Sequence, residues 1–309
     1  MRATDAVHLG LMLAALAIAY VVPFELLLLS YVVLGPAHYL TEMSWLHDRK
    51  YFLPHRSIAL ALVLVAVSAP LVGSATWFGF VVWMTFVACA LLTATTAAQS
   101  AVLTAVALGA TVAMAVNGAS LAVLGILLPT LIHVSLFTLV FMTLGAYRSG
   151  NKLQALLVAI YLTAIAIILV APPTAAMRIP AFAEAAQAYF GNVAPALGRL
   201  FGIAHLTLDT RLTGLLAFVY TYHYLNWFIK ADVIRWAEIP RLRLALVVAA
   251  SAGSTGLYFY DYAYGFGVLL ALSLAHVLLE FPLNALAIRQ LGTAIGQAFG
   301  QRSPARMKP

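Results

Sequence analysis

Three times along this chain a histidine precedes a carboxylate by four residues: His38 and Glu42, His205 and Asp209, His276 and Glu280. On a helix, residues four apart share one face. Each pair therefore presents an imidazole nitrogen and a carboxylate oxygen side by side, the donors that non-haem iron takes. The same pair can pass a proton, because histidine titrates near neutral pH, or it can lock two helices together through a hydrogen bond. Asn284 extends the third pair into an i, i+4, i+8 stripe. Pro282, within that stripe, removes one amide donor and frees a carbonyl one turn back. His133 and His223 stand alone in runs that are otherwise apolar or aromatic, and His47, beside Asp48, Arg49 and Lys50, reads as an interfacial histidine.

The elements that must hold these groups are membrane helices. Of 309 residues, 64% are hydrophobic and only 9% are charged, against about 25% charged in a soluble domain. Several runs approach the ~20 residues that a helix needs to cross a bilayer, and strand alternation is missing, which argues against a β-barrel. The fold class expected is all-α, a polytopic integral membrane helical bundle of about ten transmembrane helices. These fall near 5–22, 24–46, 57–73, 75–96, 99–116, 119–147, 153–171, 200–229, 242–260 and 263–287. Residues 1–288 read as a single transmembrane domain and 289–309 as a basic cytoplasmic tail. Placing the N-terminus in the cytoplasm leaves only Arg178, Arg199 and Arg211, of 17 Lys and Arg, on the far side. That asymmetry favours ten crossings with both termini cytoplasmic. The net charge of +7 then reflects basic loops and not nucleic-acid binding. The first apolar run lacks a small-residue cleavage site and reads as a span. The segment 172–199, with four prolines, is the one long external connection. The single cysteine, Cys89, lies in an apolar run. It leaves no intrachain disulfide and no thiolate zinc or iron–sulfur site.

An imidazole or carboxylate at membrane depth is costly unless partnered, so their recurrence points to a shared site. His38, Glu42, His133, His223, His276 and Glu280 can reach one zone in the inner half of the bilayer. They are the predicted metal ligands, and Glu42 and Glu280 are also the predicted catalytic groups. His205 and Asp209 join the candidate ligands only if their helix breaks, since the 18 residues from His205 to His223 span about 27 Å of straight helix. Otherwise they form an outer structural pair, with Asp209 satisfied by Arg211. Tyr220, Tyr224 and Trp227 fall on a helix face with His223. Together with Phe281 they are candidates to line the route of an apolar substrate. The tyrosines also suit an interfacial belt, and their hydroxyls can hold a histidine tautomer.

Gly35-Pro36-Ala37-His38, His205-x-x-x-Asp209, His223 and His276-x-x-x-Glu280 form a layout that resembles the Brp/Blh-type carotene-cleaving oxygenases. Those are polytopic bacterial membrane proteins with isolated histidines and His-x-x-x-acid patterns in their helices. Ala37 separates Pro36 from His38, so that family's Pro-His step followed by glycine is not reproduced. The resemblance implies an enzyme of the bacterial inner (plasma) membrane that cleaves a carotenoid double bond to an aldehyde such as retinal. Its cofactor would be iron, one or two ions, with dioxygen as co-substrate. Its partners would be the lipid bilayer, an apolar small-molecule substrate and, where the chemistry requires one, an electron donor. The closely spaced histidine boxes of fatty-acyl desaturases are missing. The alternative class is a proton-coupled transporter in which Glu25, Glu42, His133, His276 and Glu280 form a relay. No pair of interrupted helices in related halves supports it. A bis-histidine haem protein would have no use for a carboxylate beside each histidine.

Overall fold

The computed structural model describes residues 3–68, 71, 75–92, 94, 96–116, 131–174, 210–230 and 238–300. Every regular element among them is helical. In chain order they are α1 (Ala3–Val21), α2 (Pro23–Asp48), α3 (Arg56–Ser68), α4 (Ala75–Leu92), α5 (Ala97–Val116), α6 (Thr138–Ser149), α7 (Lys152–Val170), α8 (Thr210–Ile229), α9 (Arg241–Tyr260) and α10 (Tyr262–Gly300). Each falls on one of the ten predicted runs.

Five segments are long and apolar enough to cross a membrane: Thr4–Val21 in α1, the whole of α2, α7 and α9, and Tyr262–Gln297 in α10. That is five among the described residues, where ten crossings were expected. α3 has 13 residues, less than a bilayer requires. α8 has 20, but 13 of them are buried against protein, including Thr213, Thr221, His223 and Asn226. A helix enclosed by other helices can carry polar side chains that a lipid-facing one cannot. α5 is the opposite case: Val102, Val106, Leu108 and Val112 are all at least 60% exposed, as suits a helix whose solvent is lipid.

Local sequence explains the joints. Gly150 takes a left-handed φ of 60° and ends α6, and the Asn151 side chain then caps α7 by accepting from the Leu153 amide at 2.9 Å. At the α9–α10 turn, a Cβ on Gly265 would lie 2.2 Å from the Tyr258 Cα, so only glycine permits that close approach. α10 runs on to Gly300, so the predicted tail beginning at 289 starts as helix.

Two apolar clusters flank the centre. One joins α1, α7 and α8 with Leu26, Leu27 and Tyr39 of α2. The other joins α3, α4 and α10 with Leu46 of α2. α2 contributes to both, and the polar groups singled out above collect along it between the two. His205 and Asp209 lie outside the described residues, as does most of the 172–199 connection.

Candidate metal centre

α2 delivers His38 and Glu42 from below a break in its own winding. Residues Ser30–Leu34 form a π turn, followed by Gly35 and Pro36. Pro36 has no N–H to give to the Val32 carbonyl. Thr255 of α9 donates its hydroxyl to that carbonyl at 2.8 Å, so protein satisfies the freed group at membrane depth. A second π turn, His133–Phe137, precedes α6 and delivers His133. Such turns recur at functional sites because they redirect side chains that a regular helix would aim elsewhere. α8 delivers His223, and α10 delivers His276 and Glu280. All six side chains are buried; His223, the most exposed, is at 9%.

The histidines turn their Nε2 atoms toward one another. His38 Nε2 lies 3.1 Å from His223 Nε2, and His276 Nε2 lies 3.2 Å from His133 Nε2. One nitrogen from each of the four falls within 4.8 Å of every other. Donors bound at ~2.1 Å to one ion sit about 3 Å apart when adjacent and about 4.2 Å apart when opposite. The two Nε2···Nε2 separations of 3.1 and 3.2 Å match adjacent donors.

The outward nitrogens have their own neighbours. His223 Nδ1 is hydrogen-bonded to Thr138 Oγ1 at 2.7 Å, and Glu280 Oε2 stands 2.8 Å from His133 Nδ1. An imidazole whose Nδ1 is hydrogen-bonded, as that of His223 is, offers Nε2 to a metal. Glu42 Oε2 lies 3.0 Å from His38 Nε2, on the inner side. The two carboxylate contacts are at hydrogen-bond distance but off its angle: Glu42 Oε2, Glu280 Oε2 and His133 Nδ1 have no hydrogen-bond partner among the described residues. Glu42, His133 and Glu280 form a second group of three donors within 4.8 Å. Paired neutral imidazoles can share N–H···N bonds without any ion. That leaves two buried carboxylates with no Lys or Arg within ion-pair distance among the described residues, an arrangement that costs several kcal/mol per charge. Lys230, on the same cavity, offsets part of that charge, and with neutral imidazoles the remaining negative charge suits a bound cation.

The predicted lining residues separate. Trp227 borders a cavity of about 110 Å³ together with His38, Glu42, His223, Glu280 and Lys230. Its indole donates to Thr41 Oγ1 at 3.0 Å, and that hydroxyl donates to the Ala37 carbonyl at 2.7 Å. The Tyr224 ring stands 5.0 Å from that of His38, and its hydroxyl is hydrogen-bonded to that of Tyr39 at 2.6 Å. Tyr220 sits behind Tyr224, edge-on at 6.1 Å. Phe281 packs in the cluster with α3 and α4. His47 pairs with Asp48 at the boundary, where Arg243 holds Asp48 through two bonds of 2.6 and 2.8 Å, in keeping with its interfacial reading. Three contributors were missed from sequence: Tyr39, stacked on His276 at 4.2 Å, Thr138 and Lys230. Thr138 had a faint signal, being five residues after His133, the spacing a π turn brings together.

No family model, no curated protein and no solved structure matches this chain.

Proposed function

We propose that this protein is a membrane-embedded non-haem iron oxygenase acting on a lipid-soluble substrate, with carotenoid cleavage to retinal as the first reaction to test. The observation that carries the reading is the donor set. His38, His133, His223 and His276 supply four imidazoles and Glu42 a carboxylate beside them, a nitrogen and oxygen set that suits non-haem iron. One ion fits among the four histidine nitrogens beside Glu42, with Glu280 behind His133. Iron held there supplies dioxygen activation.

The chain's own residues do the rest. Thr138 holds His223 in the metal-binding orientation through its hydrogen bond, and Glu280 stands close behind His133 Nδ1. Trp227, Trp45, Phe141 and Leu283 give the cavity a mostly apolar wall that limits how much water stands at the reacting atoms. Glu42 and Glu280, both on that cavity, accept or return protons. The cavity is smaller than the ~300–1,000 Å³ of ordinary ligand pockets. A long substrate would therefore present only one bond to a bound ion, on the Trp227 side of the cavity. Loop charge supports ten crossings with both termini in the cytoplasm, and the resemblance implies a bacterial inner membrane.

The test is metal content followed by turnover. The purified protein is expected to carry iron without a porphyrin absorption band. In cells that accumulate β-carotene it is expected to bleach the pigment and yield retinal. A porphyrin absorption band, or protein that carries no metal, would overturn the reading. Iron with no effect on β-carotene would redirect it to another lipid. The transporter alternative is disfavoured by Glu25, which stands thirteen residues before His38 on α2, about 20 Å along the helix. Proton uptake into vesicles by metal-free protein would restore it.

A further inference from the structure

Asn226, Phe141 and Lys230 border the cavity at the metal centre, and the same three border a second cavity of about 260 Å³. The second is also walled by Asp5 in the first turn of α1, Gly145 near the end of α6 and Gln154 near the start of α7. Lys230 itself lies just past α8. The outer cavity therefore sits at one end of the bundle, where four helices start or stop. Its wall includes Tyr222, which is fully buried and whose hydroxyl has no hydrogen-bond partner among the described residues. A buried hydroxyl is costly without a partner, and water in a polar cavity of this size provides one. Lys230 is the one Lys or Arg among the described residues that borders either cavity.

We infer that the outer cavity is an aqueous inlet that brings water, and protons by exchange, to the buried metal centre. Lys230 stands at the junction, with Asp5 on the outer wall and Glu42 and Glu280 on the inner one, and screens their charge from anions that pass. The apolar walls around Trp227 leave the substrate a separate approach from lipid, so the two reactant classes need not share a route. This deepens the metal-site reading, and its test needs no metal, so the two can fail independently.

Cys89 is the only cysteine, so a Cys89→Ala background allows single thiols to be placed at will. In lipid nanodiscs, Asn226→Cys is expected to react with the hydrophilic anion 2-sulfonatoethyl methanethiosulfonate. A Cβ at Gly145 meets nothing closer than the Gln154 Oε1 at 3.9 Å, so Gly145→Phe can fill the outer cavity without a backbone clash. It is expected to slow that labelling to the rate of a fully buried thiol. Lys230→Gln should lower the ratio of labelling rates, anionic over trimethylammonium reagent, by about fivefold or more, the effect of one charge at short range in a watery cavity. The inlet is overturned if Asn226→Cys reacts with N-ethylmaleimide but not with the hydrophilic reagent, or if Gly145→Phe leaves its rate unchanged. An unchanged rate ratio in Lys230→Gln would overturn the screening role. If Asn226→Cys does not fold, Met142→Cys, on the wall of the outer cavity alone, reports the same blockage.

Discussion

On α2, Glu42 folds back toward Nε2 of His38, four residues before it, at 3.0 Å. On α10, Glu280 has the same spacing from His276 but reaches Nδ1 of His133, on another element, at 2.8 Å. One carboxylate thus stands beside the inward nitrogens, as a ligand would, and the other stands behind a ligand and orients it. The two halves are also supported differently. The first is tied by hydrogen bonds, Thr138 to His223 and Trp227 to Thr41. The second rests on the stacked ring of Tyr39 and includes Asn284, fully buried, with neither amide atom partnered among the described residues. An identical sequence motif therefore does not fix a role. The role comes from the helix facing it.

The largest effect should come from removing an inward donor on either side. His38→Ala and His276→Ala are each expected to lose bound metal and turnover while the helices remain inserted, because lost ligation outweighs one packing contact. Metal per protein in purified membranes measures this, with exposed His55→Ala as the unaffected control. Full occupancy in either variant would remove that half from the site. Next come the carboxylates. Glu42→Gln should weaken metal binding more than Glu280→Gln, whose loss should be about 10–100-fold, the usual cost of an orienting group. Equal losses in a metal titration would mean that both are ligands and that two ions are held. Thr138→Val should cost about tenfold in metal affinity without changing the thermal unfolding of the metal-free protein. A large drop in that stability would recast Thr138 as a packing residue. Asn284→Leu should leave metal-free protein as stable or more stable by about 1 kcal/mol, since it removes an unsatisfied amide. Marked destabilisation would show that the amide has a partner after all. The smallest change is expected from Thr255→Val, about 0.6 kcal/mol for one lost interhelical hydrogen bond, read in the same unfolding assay.

Much of the first half was legible in the sequence, and less of the second. His38–Glu42 and His276–Glu280 announce themselves by helical period, and His133 and His223 by being ionisable in apolar runs. The contact of Glu280 with His133 joins residues far apart in the chain, and no local pattern encodes it. Phe281 follows Glu280 directly, yet faces α3 and α4, because successive helical residues point about 100° apart. The central place of α8 was hidden for a related reason. Its Thr, Tyr and Asn residues lower its apolarity, which sequence reads as an interfacial belt, whereas in the fold they meet other helices.

The π turn at Ser30–Leu34 has a consequence for how α2 tolerates change. A π turn holds one residue more than the α turn it replaces, so it sets the rotational phase of everything after it. Deleting Val33, which is 39% exposed, would let the turn relax to α and swing His38 and Glu42 by about 100° about the helix axis. They would then face away from His223 with the helix still formed and still apolar. Substituting Val33 by another apolar residue would not do this. Along this stretch the site depends on how many residues there are more than on which they are.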